Sequence, residues 1–86
     1  MSKYRLEWKR SALRTLHRLD KPTRVRIGDA VRQFTETGSG DVKALSGEDA
    51  DKYRLRVGGW RVVFTRDDDV LVITVVRVGP RGDVYK

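Results

Sequence analysis

The sequence predicts an α+β fold: a two-helix hairpin packed on one face of a small, mostly antiparallel four-stranded sheet, in the order β-α-α-β-β-β. Three observations predict it. The start, "YRLEW", alternates apolar and polar residues; two stretches between Ser11 and Gly38 repeat at helical spacing; and the last third holds three strand-like runs separated by very short turns. Strands joined by such turns pair antiparallel, and two successive helices cover only one face of the sheet. The other face is left for solvent or for function.

Each element follows from its residues. In "YRLEW", Tyr4, Leu6 and Trp8 point one way and Arg5 and Glu7 the other, as in a strand with one buried face. From Ser11 the period lengthens. Ala12, Leu13, Leu16 and Leu19 form one stripe of a helix that ends near Asp20. Pro22 suits the first position of a second helix, whose stripe is Ile27, Ala30, Val31 and Phe34 and whose C-terminal cap is Gly38. "GSGDVKALSGEDAD" reads as a connection anchored by Val42 and Leu45. "KYRLRV", a Gly58-Gly59 turn, "WRVVFT", an Asp67-Asp68-Asp69 tip and "VLVITVVRV" complete the sheet, and Gly79-Pro80 is read as turning the chain away from it.

Composition bounds the function. Eighty-six residues fit a single domain, 1–86, with no internal repeat. Lys and Arg number 19 against 12 Asp and Glu, a net charge of +7, which favours phosphate-rich or strongly acidic partners. A membrane surface fits less well, because the cations are spread over helices and strands, and the longest apolar run, Val70 to Val76, is too short to span a bilayer. With no cysteine and one histidine, His17, neither a disulfide nor a His- or Cys-based metal cage can form, so no metal and no cofactor is expected. "MSKYRLEWKR" carries no apolar stretch after its charges, so no signal peptide is expected and the chain is read as cytoplasmic.

A register argument selects one face. If Gly58-Gly59 is a two-residue hairpin turn, Val57 pairs with Trp60, Arg56 with Arg61, Leu55 with Val62, Arg54 with Val63 and Tyr53 with Phe64. Tyr53, Leu55, Val57, Trp60, Val62 and Phe64 then meet the helices, and Arg54, Arg56 and Arg61 share the opposite face. Arginines directly opposite one another repel by up to roughly 1 kcal/mol, and no adjacent strand position is expected to supply an anion. A phosphate would, since the guanidinium fork matches its geometry. Exposed strand arginines also serve plain solubility.

Arg81 and Tyr85 follow the last strand closely enough to reach the same face. Arginines and one tyrosine, without His, Cys, metal or paired carboxylates, suit transphosphorylation of RNA: the 2′-hydroxyl is the nucleophile, and the protein orients it and stabilises the charge of the phosphorane. An arginine cluster lowers a tyrosine pKa, which fits Tyr85 to accept the 2′-hydroxyl proton; Arg81 scarcely deprotonates and suits charge stabilisation.

"KYRLRVGGWRVVF" (52–64) and "VVRVGPRGDVYK" (75–86) resemble the RelE/ParE toxin superfamily, and its RelE-like branch in particular, and the likeness of element order runs over nearly the whole chain. The resemblance implies the toxin of a type II toxin–antitoxin system: a metal-independent endoribonuclease that enters the ribosomal A site, cuts mRNA and leaves a 2′,3′-cyclic phosphate. By position it implies Arg61, Arg81 and Tyr85 as catalytic residues, and Arg54 and Arg56 as the residues that hold the RNA backbone. Pro80 stands where relatives often have histidine or lysine, and Gly82 and Asp83 make the tail shorter and more acidic.

The implied partners are mRNA, the ribosome with its ribosomal RNA, and a small acidic RelB-like antitoxin that forms a hetero-oligomer with the toxin by covering the arginine face. The ParE branch, which shares the fold and inhibits DNA gyrase without nuclease chemistry, is the alternative. A basic RNA-binding module stacking bases on Trp60 and Tyr85 is another, weakened by the expected burial of Trp60. His17 is read as a solvated or helix-packing residue and not as a catalytic one. The cations on the helices (Lys9, Arg10, Arg14, Arg18, Lys21, Arg24, Arg26) are read as a wet face that meets ribosomal RNA.

Overall fold

The computed structural model describes residues 4–80. Arg81, Gly82, Asp83 and Tyr85 lie outside the described residues. The elements are β1 (Arg5–Trp8), α1 (Arg10–His17), α2 (Lys21–Thr37), β2 (Asp41–Ala44), a 3₁₀ turn (Gly47–Asp49), β3 (Lys52–Val57), β4 (Trp60–Asp67) and β5 (Val72–Pro80). They build one mixed five-stranded sheet in the order β1-β5-β4-β3-β2, parallel between β1 and β5 and antiparallel elsewhere.

The two helices are punctuated by side-chain chemistry. Asp20 caps α2: its carboxylate accepts from the Thr23 backbone N–H (3.3 Å) and the Thr23 hydroxyl (2.8 Å), and Pro22 sits in the first turn, where no N–H is needed. Gly38 ends the helix in the left-handed region (φ 76°), which glycine reaches without strain. Ala12 and Leu16 of α1 and Ile27 and Val31 of α2 are buried against Leu55, Val57, Val62, Phe64, Ile73, Val75 and Val78, with Tyr4, Leu6, Trp8, Phe34 and Trp60 packed around them. Phe64 bridges the layers, 5.2 Å from the Phe34 ring and 5.5 Å from Tyr53.

Three features differ from expectation. The connection after α2 contains a fifth strand, β2, paired with β3 from Asp41↔Arg56 to Ala44↔Tyr53. Apart from Val42 its residues have poor strand propensity, and of them only Val42 packs against the core, so pairing with β3 makes the strand and local preference does not. The last strand continues through Pro80, opposite Trp60, so Gly79 and Pro80 extend the sheet instead of leaving it; Val70 and Leu71 belong to the preceding turn, with Leu71 at φ 57°. The β4–β5 register also shifts between Val63 and Phe64: Val63 pairs with Arg77 and Phe64 with Val75, so Val76 is a bulge.

Candidate nucleic-acid interface

The β3–β4 hairpin has the expected register at every pair from Tyr53↔Phe64 to Val57↔Trp60. Gly58 alone of the two turn residues has a positive φ (58°), as in a II′-type turn whose twist matches the strands. The turn fixes the alternation, and Arg54, Arg56 and Arg61 therefore share the face opposite the helices. Across the sheet that face reads in rows: Asp41, Arg56, Arg61 and Gly79; Lys43, Arg54, Val63 and Arg77; Lys52, Thr65, Thr74 and Glu7. Gly79 adds no side chain beside Arg61.

The three arginines are not equivalent. Arg54 is only 8% exposed, and its Nη1 donates to the Asp41 backbone oxygen (3.0 Å) and carboxylate (3.3 Å). Arg61 is also 8% exposed, whereas Arg56 is half-buried. Val63 lies between Arg54 and Arg77, is fully buried, and is not part of the helix-side core. Its burial makes the centre of this face a low-dielectric floor beneath the guanidinium groups, on which a charge acts more strongly than in open water.

The expectation that no neighbouring strand position supplies an anion is corrected. Asp41, on the strand the sequence did not reveal, binds Arg54 and stands opposite Arg56. Asp49 lies 3.5 Å from Lys52 Nζ and 3.9 Å from Arg77 Nη2. Because Lys52 and Arg77 belong to β3 and β5, with β4 between them, the 3₁₀ turn carries Asp49 over one end of the face. Asp51 sits 3.2 Å from Lys52, and that hydrogen bond raises the ammonium pKa while lowering the Asp51 carboxyl.

The structure thus brings together Arg54, Arg56 and Arg61 and adds Lys52 and Arg77, which the sequence reading missed. Lys52 follows from the same alternation as Arg54. Arg77 does not: without the bulge at Val76 it would fall on the helix side, so nothing in regular strand parity pointed to it. Arg26, on α2, approaches from the other layer: a Cβ on Gly58 would stand 2.8 Å from its Nη2, so its guanidinium lies against the hairpin turn next to the Arg56–Arg61 pair. His17 is exposed at the end of α1, and Trp60 packs against the core. Among the described residues no three His, Asp or Glu side chains gather to hold a metal ion, and no helix is long and apolar enough to cross a membrane.

Comparison with known proteins gives a consistent set. The family model described as the ParE toxin of the type II toxin-antitoxin system, parDE, matches residues 6–85. A putative RelE-like toxin protein of Escherichia coli is 30% identical, covering 96% of this chain and 90% of its own. Among solved structures, the archaeal RelE-RelB complex from Pyrococcus horikoshii OT3 superposes with a TM-score of 0.77 at 26% identity, covering 93% of this chain and 97% of that one. The RelBE2 toxin-antitoxin complex of Mycobacterium tuberculosis gives 0.69 at 29% identity over 96% and 97%, and the isolated E. coli RelE toxin 0.73 at 25% over 95% and 90%.

Proposed function

The chain belongs to the RelE/ParE superfamily of type II toxin–antitoxin toxins, and from that premise we propose that it is a metal-independent, ribosome-dependent mRNA endoribonuclease. The observation that carries this reading is the placement of Arg54, Arg56 and Arg61 on one sheet face, away from the helices, in the register that a Gly-Gly turn imposes. Such a face offers fixed positive charge where a phosphorane would develop negative charge. In the proposed step the RNA 2′-hydroxyl attacks its adjacent phosphorus and gives its proton to the phenolate form of Tyr85, which the surrounding arginines favour. The P–O5′ bond breaks, the 5′-oxygen leaves and takes up a proton from water, and a 2′,3′-cyclic phosphate remains. Arg61 and Arg81 stabilise the charge; Arg56, with Arg54 held beside it, grips the backbone.

The relatives solved as RelE-RelB and RelBE2 toxin-antitoxin complexes support an antitoxin partner, and in this reading it is acidic and neutralises the toxin in a hetero-oligomer. A net charge of +7 makes the electrostatics of that pairing favourable.

The test is induced expression of the wild type beside Arg61→Ala, Arg81→Ala and Tyr85→Phe, with mRNA 5′ ends mapped in translating cells. Wild type should cut within translated frames, and each variant should cut less by about 10²-fold. Equal cleavage by all four would remove the site. Because the matched family is described as the ParE toxin, the ParE-branch alternative, inhibition of DNA gyrase, is the second reading; blocked supercoiling with intact mRNA would establish it in place of the nuclease.

A further inference from the structure

Arg77 is half exposed, and the bulge at Val76 turns it onto the arginine face, in the same row as Arg54 and Val63. Its ion pair among the described residues is with Asp49 at 3.9 Å, the longest such pair there. A strong charge-assisted contact would be about 2.7–2.9 Å, and exposed pairs of this kind contribute little to folding. Asp49 also serves Lys52, but Lys52 has the nearer Asp51 and so does not depend on Asp49 for its neutralising charge. Asp49 rides on a short 3₁₀ turn with exposed Gly47 and Glu48, well placed to be pushed aside.

We propose that Arg77 is a further phosphate contact for single-stranded RNA, occupied in the free protein by Asp49, whose carboxylate the incoming phosphate displaces. The inference rests on the reading of this face as the RNA surface. It extends the phosphate track from β3 and β4 onto β5, and gives the 47–49 turn a role as a competing anion that discriminates against weakly bound polyanions. Replacing the acid should therefore tighten binding, and replacing the arginine should loosen it.

The experiment is a fluorescence-anisotropy titration of the full chain with a labelled single-stranded RNA whose riboses are 2′-O-methylated and so cannot be cut, across 50–200 mM salt. Arg77→Gln should reduce the magnitude of the log K against log salt slope by about 0.7, and Arg77→Lys should restore it. Asp49→Asn should strengthen binding by about threefold or more at low salt, and most of that gain should vanish in the Arg77→Gln background. Melting curves check that every variant is folded. If Arg77→Gln and Asp49→Asn bind as wild type while Arg56→Gln binds more weakly, the inference is wrong and the RNA face stands. If Arg56→Gln also binds as wild type, the face is not the RNA surface and both readings fall.

Discussion

Arg54 and Arg56 are two residues apart on β3 and face the same way, yet the structure gives them different work. Arg54 is almost covered and is tied by one nitrogen to both the backbone and the carboxylate of Asp41. It staples the edge strand to the sheet. Arg56 stands across from Arg61 with more of its surface open to solvent. Arg54→Ala should therefore cost about 1–2 kcal/mol of stability, since charged hydrogen bonds and packed stem are lost together, while Arg56→Ala should stay within about 0.5 kcal/mol. Urea denaturation of the two variants measures the difference; equal midpoints would show that Arg54 is no staple. The register of the arginines was legible because two glycines leave little choice of turn, and alternation then assigns every side chain. Asp41 was not legible as their partner, since it reaches them only through a strand that tertiary pairing creates.

At the scale of elements, the β3–β4 turn and the α2 cap carry the geometry. Gly58 has φ 58°, and a methyl group there would meet the Arg26 guanidinium at 2.8 Å, whereas Gly59 has open space around it and an ordinary φ. Gly58→Ala should destabilise by about 1–2 kcal/mol and shift Arg26, and Gly59→Ala should change stability by less than about 0.5 kcal/mol; comparable losses in both would contradict the turn assignment. Asp20 makes α2 pH-dependent. Hydrogen bonds from the Thr23 hydroxyl and N–H hold its carboxyl below the usual value, so the folded state binds that proton less readily than the unfolded chain. Its contribution is complete above the unfolded pKa of about 3.9 and is lost as pH falls through the lower folded value. Asp20→Ala should lower the Tm by roughly 5 °C at neutral pH, with the gap from wild type closing as the pH falls below the unfolded value of about 3.9. Pro22 at the start of α2, the Gly38 cap and the apolar stripes, apart from the exposed Leu13, were readable because each is a local rule, whereas Asp20 as the cap of α2 was not read. The bulge at Val76 and the continuation of β5 through Pro80 were not, because each is decided by the neighbouring strand β4 and by the demand that Val75 and Val78 both reach the core.

For the whole molecule, the decisive quantity is how the charge of +7 is divided between two surfaces. The sheet face holds its cations at register positions, several of them paired with Asp41, Asp49 or Asp51. The helix layer carries Lys9, Arg10, Arg14, Arg18 and Lys21 exposed, and no ion pair among the described residues involves them. An unpaired cation releases more counterion atmosphere from a polyanion than one already neutralised by a carboxylate, so the helices should dominate long-range attraction while the sheet face governs contact with the reacting phosphate. These roles separate experimentally. The triple variant Arg10→Gln, Arg14→Gln, Arg18→Gln keeps Ala12 and Leu16 buried and should fold as wild type. Its binding to ribosomes should show a log K against log salt slope smaller in magnitude by about 2, and association should slow most at low salt. Under single-turnover conditions with saturating ribosomes, the proposed cleavage rate should be unchanged, because no substituted residue touches the scissile phosphate in that reading. A wild-type slope would mean that the helix layer never meets nucleic acid; a lost cleavage rate at saturation would mean that it shapes the site directly, and that the two surfaces do not divide the work.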